Sequence, residues 1–255
     1  MEKYLLFIDI DGTLVKPLTN KVDEEIINEF KRLKKDCHKI IISTGRALNS
    51  SYKVEGVDNA DYVATMLGGV IVIGKTKEII HKSNTINSNC IKSFVEDVEK
   101  HGLKWLYKDC FTEKSYINDE ELITDYNIKL ITKSDFEKDL SNNSVFQLIV
   151  LGNLPDEIMK KHSIFDYFKM PGNYYDVIAK GSSKGDIVKY FKEKYPNYAT
   201  VAIGDSNNDV GMFKAADISI SMANAEEDIK QLTTYVTKSV MDNGVIYAIK
   251  EILKI

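Results

Sequence analysis

Asp9 and Asp11 stand on either side of one isoleucine in "FIDIDGTLV" (7–15), directly after the apolar run "YLLFI" and directly before Gly12. A second acidic group, Asp205 with Asn208 and Asp209, ends the apolar run "YATVAIGD" and fills "GDSNND" (204–209). Ser43 and Thr44 close the run "HKIII", and Lys184 in "GSSKGDIV" opens an amphipathic stretch. Three or more carboxylates brought into one crevice repel one another unless a cation joins them, and Mg2+ takes oxygen ligands of this kind. Residues i and i+2 at a strand end point to one side, so Asp9 and Asp11 can both face one group.

The surrounding pattern says how such residues come together. "KVDEEIINEFKRLKK" carries Val22, Ile26, Ile27, Phe30 and Leu33 at helical spacing. "KYLLFIDID", "HKIIISTGR", "DYVATML" and "GVIVIG" read as short strands. Strand, helix and strand at these intervals predict a parallel sheet with crossover helices, which binds ligands at the carboxyl ends of its strands. The end of the chain repeats the pattern: a helix in "SKGDIVKYFKEKY", a strand in "YATVAIGD", a helix in "NDVGMFKAA", a strand in "DISISM", then helices in "NAEEDIKQLT" and "NGVIYAIKEILKI". Between them, about 82–172, a helix in "SNCIKSFVEDVEKHG" precedes an antiparallel pair, "KWLYKD" and "EKSYIN", around "CFT". A strand in "SVFQLIVLG" and a short helix in "PDEIMKKH" follow. The predicted fold class is α/β: a doubly wound, Rossmann-like core of parallel sheet (1–81 and 173–255) interrupted by a smaller α+β domain (82–172).

Composition limits the functions to consider. A chain of 255 residues, 44% hydrophobic and 28% charged, can bury a substantial core. Its net charge of −4 gives no basic footprint for nucleic acid. It has no run of 18 apolar residues to cross a membrane, and the apolar start is cut by Asp9 and lacks a small-residue cleavage site. The expectation is a cytoplasmic protein, a monomer or weak homo-oligomer, without nucleic-acid or membrane partners. Cys37, Cys90 and Cys110 are odd in number and widely spaced, which predicts reduced thiols. Of 34 basic residues only Arg32 and Arg46 are arginine. An arginine at 46 either brings a fork of donors to the rim of the site or stands there by chance.

Other readings of the same residues fail on spacing. A calcium loop starting at Asp9 needs Gly at its sixth place and Glu at its twelfth, where Leu14 and Asn20 stand; from Asp205 the residues are Val210 and Ala216. "GVIVIGKT" (69–76) satisfies the phosphate-loop spacing of nucleotide-binding proteins. Its intervening residues are a strand, though, and "KEIIHK" reads as a return strand where that loop needs a helix. Thr44 suits a helix N-cap, a position compatible with phosphate binding at a helix N-terminus.

"DIDGTL" (9–14), "ISTGR" (42–46), "SKG" (183–185) and "GDSNND" (204–209) resemble, in order, the four signature motifs of the haloacid dehalogenase-like hydrolases. Within them the chain is most similar to the Cof-type phosphatases with an α/β cap between the second and third motifs. The resemblance spans nearly the whole chain, including "SMANAEEDIKQLTTYVT" and "DNGV". It implies a phosphatase of small phosphorylated metabolites, sugar phosphates above all, working through an aspartyl-phosphate. Asp9 would be the nucleophile, a role carboxylates do take, and Asp11 the general acid and then base. Lys184 would neutralise charge on nucleophile and phosphate. Thr44, with Gly45, Arg46 and Asn208, would contact phosphate or substrate. Mg2+ would be held by Asp9, the main-chain carbonyl of Asp11 and Asp205, with Asp209 orienting that shell; the metal supplies charge and positioning.

One departure stands out. Many relatives have Asn-Gly-Ala where this chain has Gly68, Gly69 and Val70, so a substrate contact from that asparagine is missing. The same motifs also serve phosphomutases, which return the phosphoryl group to a sugar. A non-catalytic binding protein fits less well, because Asp9, Asp11, Lys184 and Asp205 are all intact. The inserted segment is expected to choose the substrate, with Trp105 in its own core, since large aromatics are usually buried. The four histidines lie outside the motifs.

Overall fold

The computed structural model describes residues 2–17, 19–83, 85–116, 128–170 and 172–255. Its chain divides into two compact units, Met1–Arg46 with Ser51–Lys82 and Ser183–Ile255, and Ala47–Ser50 with Ser83–Ser182. No helix of the described residues is long and apolar enough to cross a membrane.

The first unit is built from apolar runs too short for helices: β1 (Tyr4–Ile8), β2 (Lys39–Ser43), β3 (Tyr62–Thr65), β4 (Val70–Ile73) and β5 (Ile79–Lys82). The second contributes β6 (Lys104–Lys108), β7 (Glu113–Ser115), β8 (Lys129–Leu130), β9 (Gln147–Leu151), β10 (Phe165–Met170) and β11 (Tyr174–Ala179). The chain then returns to the first with β12 (Ala199–Gly204), β13 (Ile218–Ser221) and β14 (Tyr235–Val236).

The first unit's sheet runs β14-β13-β12-β1-β2-β3-β4-β5. It is parallel from β14 through β3, and β4 and β5 turn back as antiparallel strands. Both faces of β1 are covered, which is why "YLLFI" shows no apolar–polar alternation. One face lies under the helix Lys184–Lys194: Ile187, Val188 and Phe191 pack with Leu5, Phe7, Ile41 and Ala202. The helix Glu24–Lys35 buries Ile26, Phe30 and Leu33 and packs by β2. Register fixes the site. Ile8 lies opposite both Ile203 of β12 and Ile42 of β2, so Asp9, Asp205 and Ser43 emerge at neighbouring strand ends.

The phosphate-loop spacing at 69–76 has no phosphate-loop context. Val70–Ile73 is a buried strand and, after a turn with Lys77 at φ 61°, β5 returns antiparallel where a helix would be needed. Near the C-terminus, the helix predicted over "NAEEDIKQLT" is one turn, Glu227–Lys230. The residues that follow supply β14, a short edge strand that the sequence reading does not contain.

The second unit is α+β. Its sheet, β10-β11-β9-β6-β7-β8, is antiparallel except between β7 and β8. Ile91, Phe94, Val95 and Val98 of the helix Ser88–Lys100 pack on one face with Phe136, Leu140, Trp105 and Val150. Trp105 is 1% exposed, a core residue as expected, and its indole N–H donates to Glu99 at 3.1 Å. The predicted strand "EKSYIN" is β7 over Glu113–Ser115; Ile117 and Asn118 lie outside the described residues. The sequence reading ends this segment at 172, but β11 lies beyond it and is hydrogen-bonded to both β9 and β10, which carries the unit to Ser182.

Candidate active site

Asp9 is the first residue past β1, and its N–H donates to the Ile203 carbonyl at 3.0 Å, continuing the β1–β12 ladder. The site lies on this seam. Lys184, the first residue of its helix, is wholly buried. The Ser183 hydroxyl and the Asp186 carboxylate satisfy that helix's first N–H groups, so the lysine is free to reach inward. Its Nζ donates to Asp9 Oδ1 and to Asp209 Oδ1, each at 2.6 Å.

Asp209 is also fully buried. Its second oxygen, Oδ2, accepts the N–H groups of Asp205 and Ser206, each at 3.0 Å. Gly204 makes room for it, since a Cβ there would sit 2.5 Å from the Asp209 carboxyl carbon. Both oxygens of Asp209 are therefore engaged, one by an ammonium and one by the turn it caps.

Asp9, Asp205 and Asp209 each place a carboxylate oxygen within 4.8 Å of the other two. Burial pushes Asp9 well above the ordinary carboxylate range; Lys184 opposes this, and Asp209, Asp205 and Asp11 add to it. Burial, then Asp209, pushes Asp205 up to about 7, with Lys184 again opposing. Burial works against the charge on Lys184, but Asp209 and Asp9 outweigh it and hold its pKa above the ordinary value. Three carboxylates thus lie together with one buried ammonium, which bonds two of them. A hard divalent cation with oxygen ligands fits the deficit. Asp209 is held by the ammonium and two main-chain N–H groups, whereas Asp205 meets only two longer contacts from neutral donors and Asp9 uses Oδ1 alone on Lys184, so Asp9 and Asp205 are the better placed to hold it.

Asp11 turns the other way. Its carboxylate accepts Arg46 Nε at 2.9 Å and Nη2 at 2.5 Å, and Arg46 Nη1 donates to Asn20 Oδ1 at 3.3 Å. Its carboxylate is no part of the acidic cluster, which leaves only its main chain for a metal. Thr44 follows β2; its N–H donates to the Ala64 carbonyl at 2.9 Å, and its hydroxyl accepts the Arg46 N–H at 3.1 Å. Gly45 lies between them in that loop. Asn208, 7% exposed, accepts the Ser206 hydroxyl at 3.0 Å. Thr44 and Asn208 sit at the right strand ends and spend these hydrogen bonds locally.

The sequence reading gave no role to Thr13 or Asn224. Thr13 Oγ1 donates to Asp205 Oδ1 at 3.4 Å, and Asn224 Nδ2 donates to Asp205 Oδ2 at 3.2 Å. Their only signal was membership of "DIDGTL" and "SMANAEED".

Comparison with known proteins agrees in fold and length. The family model described as haloacid dehalogenase-like hydrolase matches residues 6–249. YkrA of Bacillus subtilis, which bears a provisional phosphatase name, is 27% identical, with 99% of this chain and 98% of that protein aligned. Among solved structures, BT1666 of Bacteroides thetaiotaomicron, described among the phosphatases of the haloalkanoate enzyme superfamily, superposes with a TM-score of 0.86 at 25% identity, covering 100% of this chain and 96% of that one. The sugar phosphatase BT4131 gives a TM-score of 0.84 at 26% identity, covering 99% and 100%.

Proposed function

The chain belongs to the haloacid dehalogenase-like hydrolase family, and from that premise we propose that it is a Mg2+-dependent phosphatase of small phosphate monoesters, acting through an aspartyl-phosphate on Asp9. The observation that carries this reading is the Asp9–Lys184–Asp209 line, in which one buried ammonium holds a buried carboxylate at the end of the central strand. The likeness to a sugar phosphatase over the whole chain supports sugar phosphates as the substrate class.

The chemistry follows from the side chains. Asp9 Oδ attacks phosphorus, forming the Asp9–phosphorus bond as the bond to the leaving oxygen breaks. Asp11, released from the Arg46 fork and loaded with a proton from solvent, passes that proton to the leaving oxygen, which departs as an alcohol. Asp11, now a carboxylate, takes a proton from water, whose oxygen attacks the same phosphorus. The bond to Asp9 breaks, releasing inorganic phosphate and restoring Asp9. Lys184 keeps its proton throughout, and its charge offsets the charge of nucleophile and phosphoryl oxygens. Asp9, Asp205 and the Asp11 main chain would hold Mg2+, which when bound would supply the further positive charge that phosphoryl transfer calls for. The Thr44 hydroxyl, which accepts the Arg46 N–H, keeps its own O–H as a neutral donor for a phosphoryl oxygen.

The test is a panel of phosphorylated metabolites scored for phosphate release with Mg2+, with chelator, and in Asp9→Asn. Release that needs Mg2+, with phosphate trapped on protein only when Asp9 is present, is the expected result. Release that survives chelation, or a trapped phospho-protein in Asp9→Asn, overturns the mechanism. Dependence on a sugar bisphosphate, with no net phosphate release, would identify a mutase instead.

A further inference from the structure

The segment after β13 carries "SMANAEED", and within it Asn224 ties together three parts of the chain distant in sequence. Its Nδ2 donates to the Gly12 carbonyl at 2.9 Å and to Asp205 Oδ2 at 3.2 Å. Its Oδ1 accepts the Val240 N–H at 3.0 Å, and this partner assigns the oxygen to that end and the NH2 to the acidic end. Gly12 permits the approach: it lies at φ 77°, and a Cβ there would collide with the Asp205 carboxylate. The Asn224 segment is itself pinned to the end of β12, where the Met222 N–H donates to the Gly204 carbonyl at 2.9 Å.

The two aspartates of the "GDSNND" group are held by donors of different charge. Asp209 meets the ammonium that it shares with Asp9. Asp205 meets the Thr13 hydroxyl and the Asn224 amide, both neutral. Neutral donors fix a carboxylate's plane without neutralising it, so its charge stays available to a cation. The Gly12 carbonyl bound by the same NH2 belongs to the loop that carries Asp9 and Asp11.

We propose that Asn224 is a positioning residue for the cation site, orienting the Asp205 carboxylate and the 9–13 loop together and thereby setting the affinity for Mg2+. This rests on the reading of Asp205 and Asp9 as metal ligands. Removing a group that orients a metal ligand typically weakens metal binding by about 10–100-fold.

The experiment is calorimetric titration of Mg2+ into wild type, Asn224→Ala and Asn224→Ser, without substrate, with thermal unfolding in chelator run alongside. Asn224 is exposed, so both variants are expected to fold and to unfold near the wild-type temperature. The expected result is a Mg2+ Kd raised by about 10–100-fold in both variants, with the Mg2+ needed for half-maximal phosphate release rising in step. Wild-type Kd in folded variants overturns the proposal, as does lowered stability with unchanged Kd, which would make Asn224 a structural tie only. If wild type itself takes up no Mg2+, the metal reading falls and this inference with it.

Discussion

Arg46 grips Asp11 through both carboxylate oxygens, Nε to Oδ2 at 2.9 Å and Nη2 to Oδ1 at 2.5 Å. This is the parallel two-bond geometry that a guanidinium makes and an ammonium cannot. It accounts for an arginine at 46 in a chain that draws nearly all its other positive charge from lysine. The pair also holds Asp11 away from the acidic cluster, so the proposed general acid has a defined resting place that it must leave, taking up a proton, before it acts.

Arg46→Lys keeps the charge and loses the fork, and Arg46→Ala loses both. A hydrogen bond to a charged group is worth about 1.5–3 kcal/mol, so kcat/KM is expected to fall by about 10–150-fold in Arg46→Lys and further in Arg46→Ala. Asp11→Asn sets the floor, at about 10²–10⁴-fold if Asp11 is the acid and base. Steady-state kinetics on one substrate decide it. Full activity in Arg46→Ala would reduce the ion pair to a contact at the rim.

Lys184 and Lys75 offer a direct contrast between two phosphate sites. Lys184 is wholly buried between Asp9 and Asp209, and Lys75 is exposed in the turn between β4 and β5. Removing one partner of a buried ion pair costs about 3–5 kcal/mol, because the remaining charge stays unpaired. Lys184→Met is therefore expected to lose stability of that order in metal-free protein and nearly all phosphate release. Lys75→Ala is expected to match wild type in both. Denaturant unfolding and a phosphate-release assay report the two effects, and loss of release in Lys75→Ala with retention in Lys184→Met would mean that phosphate binds elsewhere.

The parts of this molecule legible in its sequence are those where burial is complete. β1, β2 and β12 are covered on both faces, so they read as unbroken apolar runs, and the polar residue ending each marks the strand end. What stayed hidden depends on partners far along the chain. Asp11 and Arg46 are 35 residues apart, and Asn224 and Gly12 are 212 apart. Nothing local to Asn224 separates it from an ordinary turn residue. The β10–β11 hairpin is hidden for a different reason. Asp166, Lys169 and Asp176 interrupt its apolar pattern, so its strands do not stand out as apolar runs.

His38 gives a pH test away from the acidic cluster. It is 1% exposed, and its Nδ1 accepts the Tyr4 N–H at 3.0 Å, which requires a nitrogen without a proton. Burial, helped by the charge of Arg32, lowers its pKa below the ordinary 6.5; Asp36 opposes the shift. The folded state therefore binds this proton more weakly than the unfolded chain. The contribution of neutral His38 is full above pH 6.5 and declines as pH falls from there toward the lowered folded value. Urea midpoints measured between pH 7.5 and 5 should fall more steeply for wild type than for His38→Gln, whose amide does not titrate. Parallel profiles would remove His38 as the source.

The second unit supplies the last prediction, because its boundaries decide how it can be exchanged. We expect it to set the substrate ranking, while Asp9, Lys184 and the metal requirement stay with the first unit. A lid domain that excludes water and contacts the non-phosphate end of the substrate would divide the work in this way. The exchange must be cut after Lys82 and after Ser182, since a cut at 172 would part β10 from β11 across a six-residue antiparallel pairing. Ala47–Ser50 must travel too: the Ala47 N–H and the Ser50 hydroxyl donate to Glu113 at 3.2 and 2.8 Å. Trp105, packed against Phe136 at 5.1 Å, is part of what must move intact, and Trp105→Ala alone is expected to cost about 3–5 kcal/mol of stability. The measurement is the ranking of a phosphorylated-metabolite panel by kcat/KM, before and after exchange with the matching unit of a relative of different preference. The ranking should follow the incoming unit, with Mg2+ and Asp9 still required. A folded chimera that keeps the original ranking would place substrate choice in the first unit, at the strand ends that carry the chemistry.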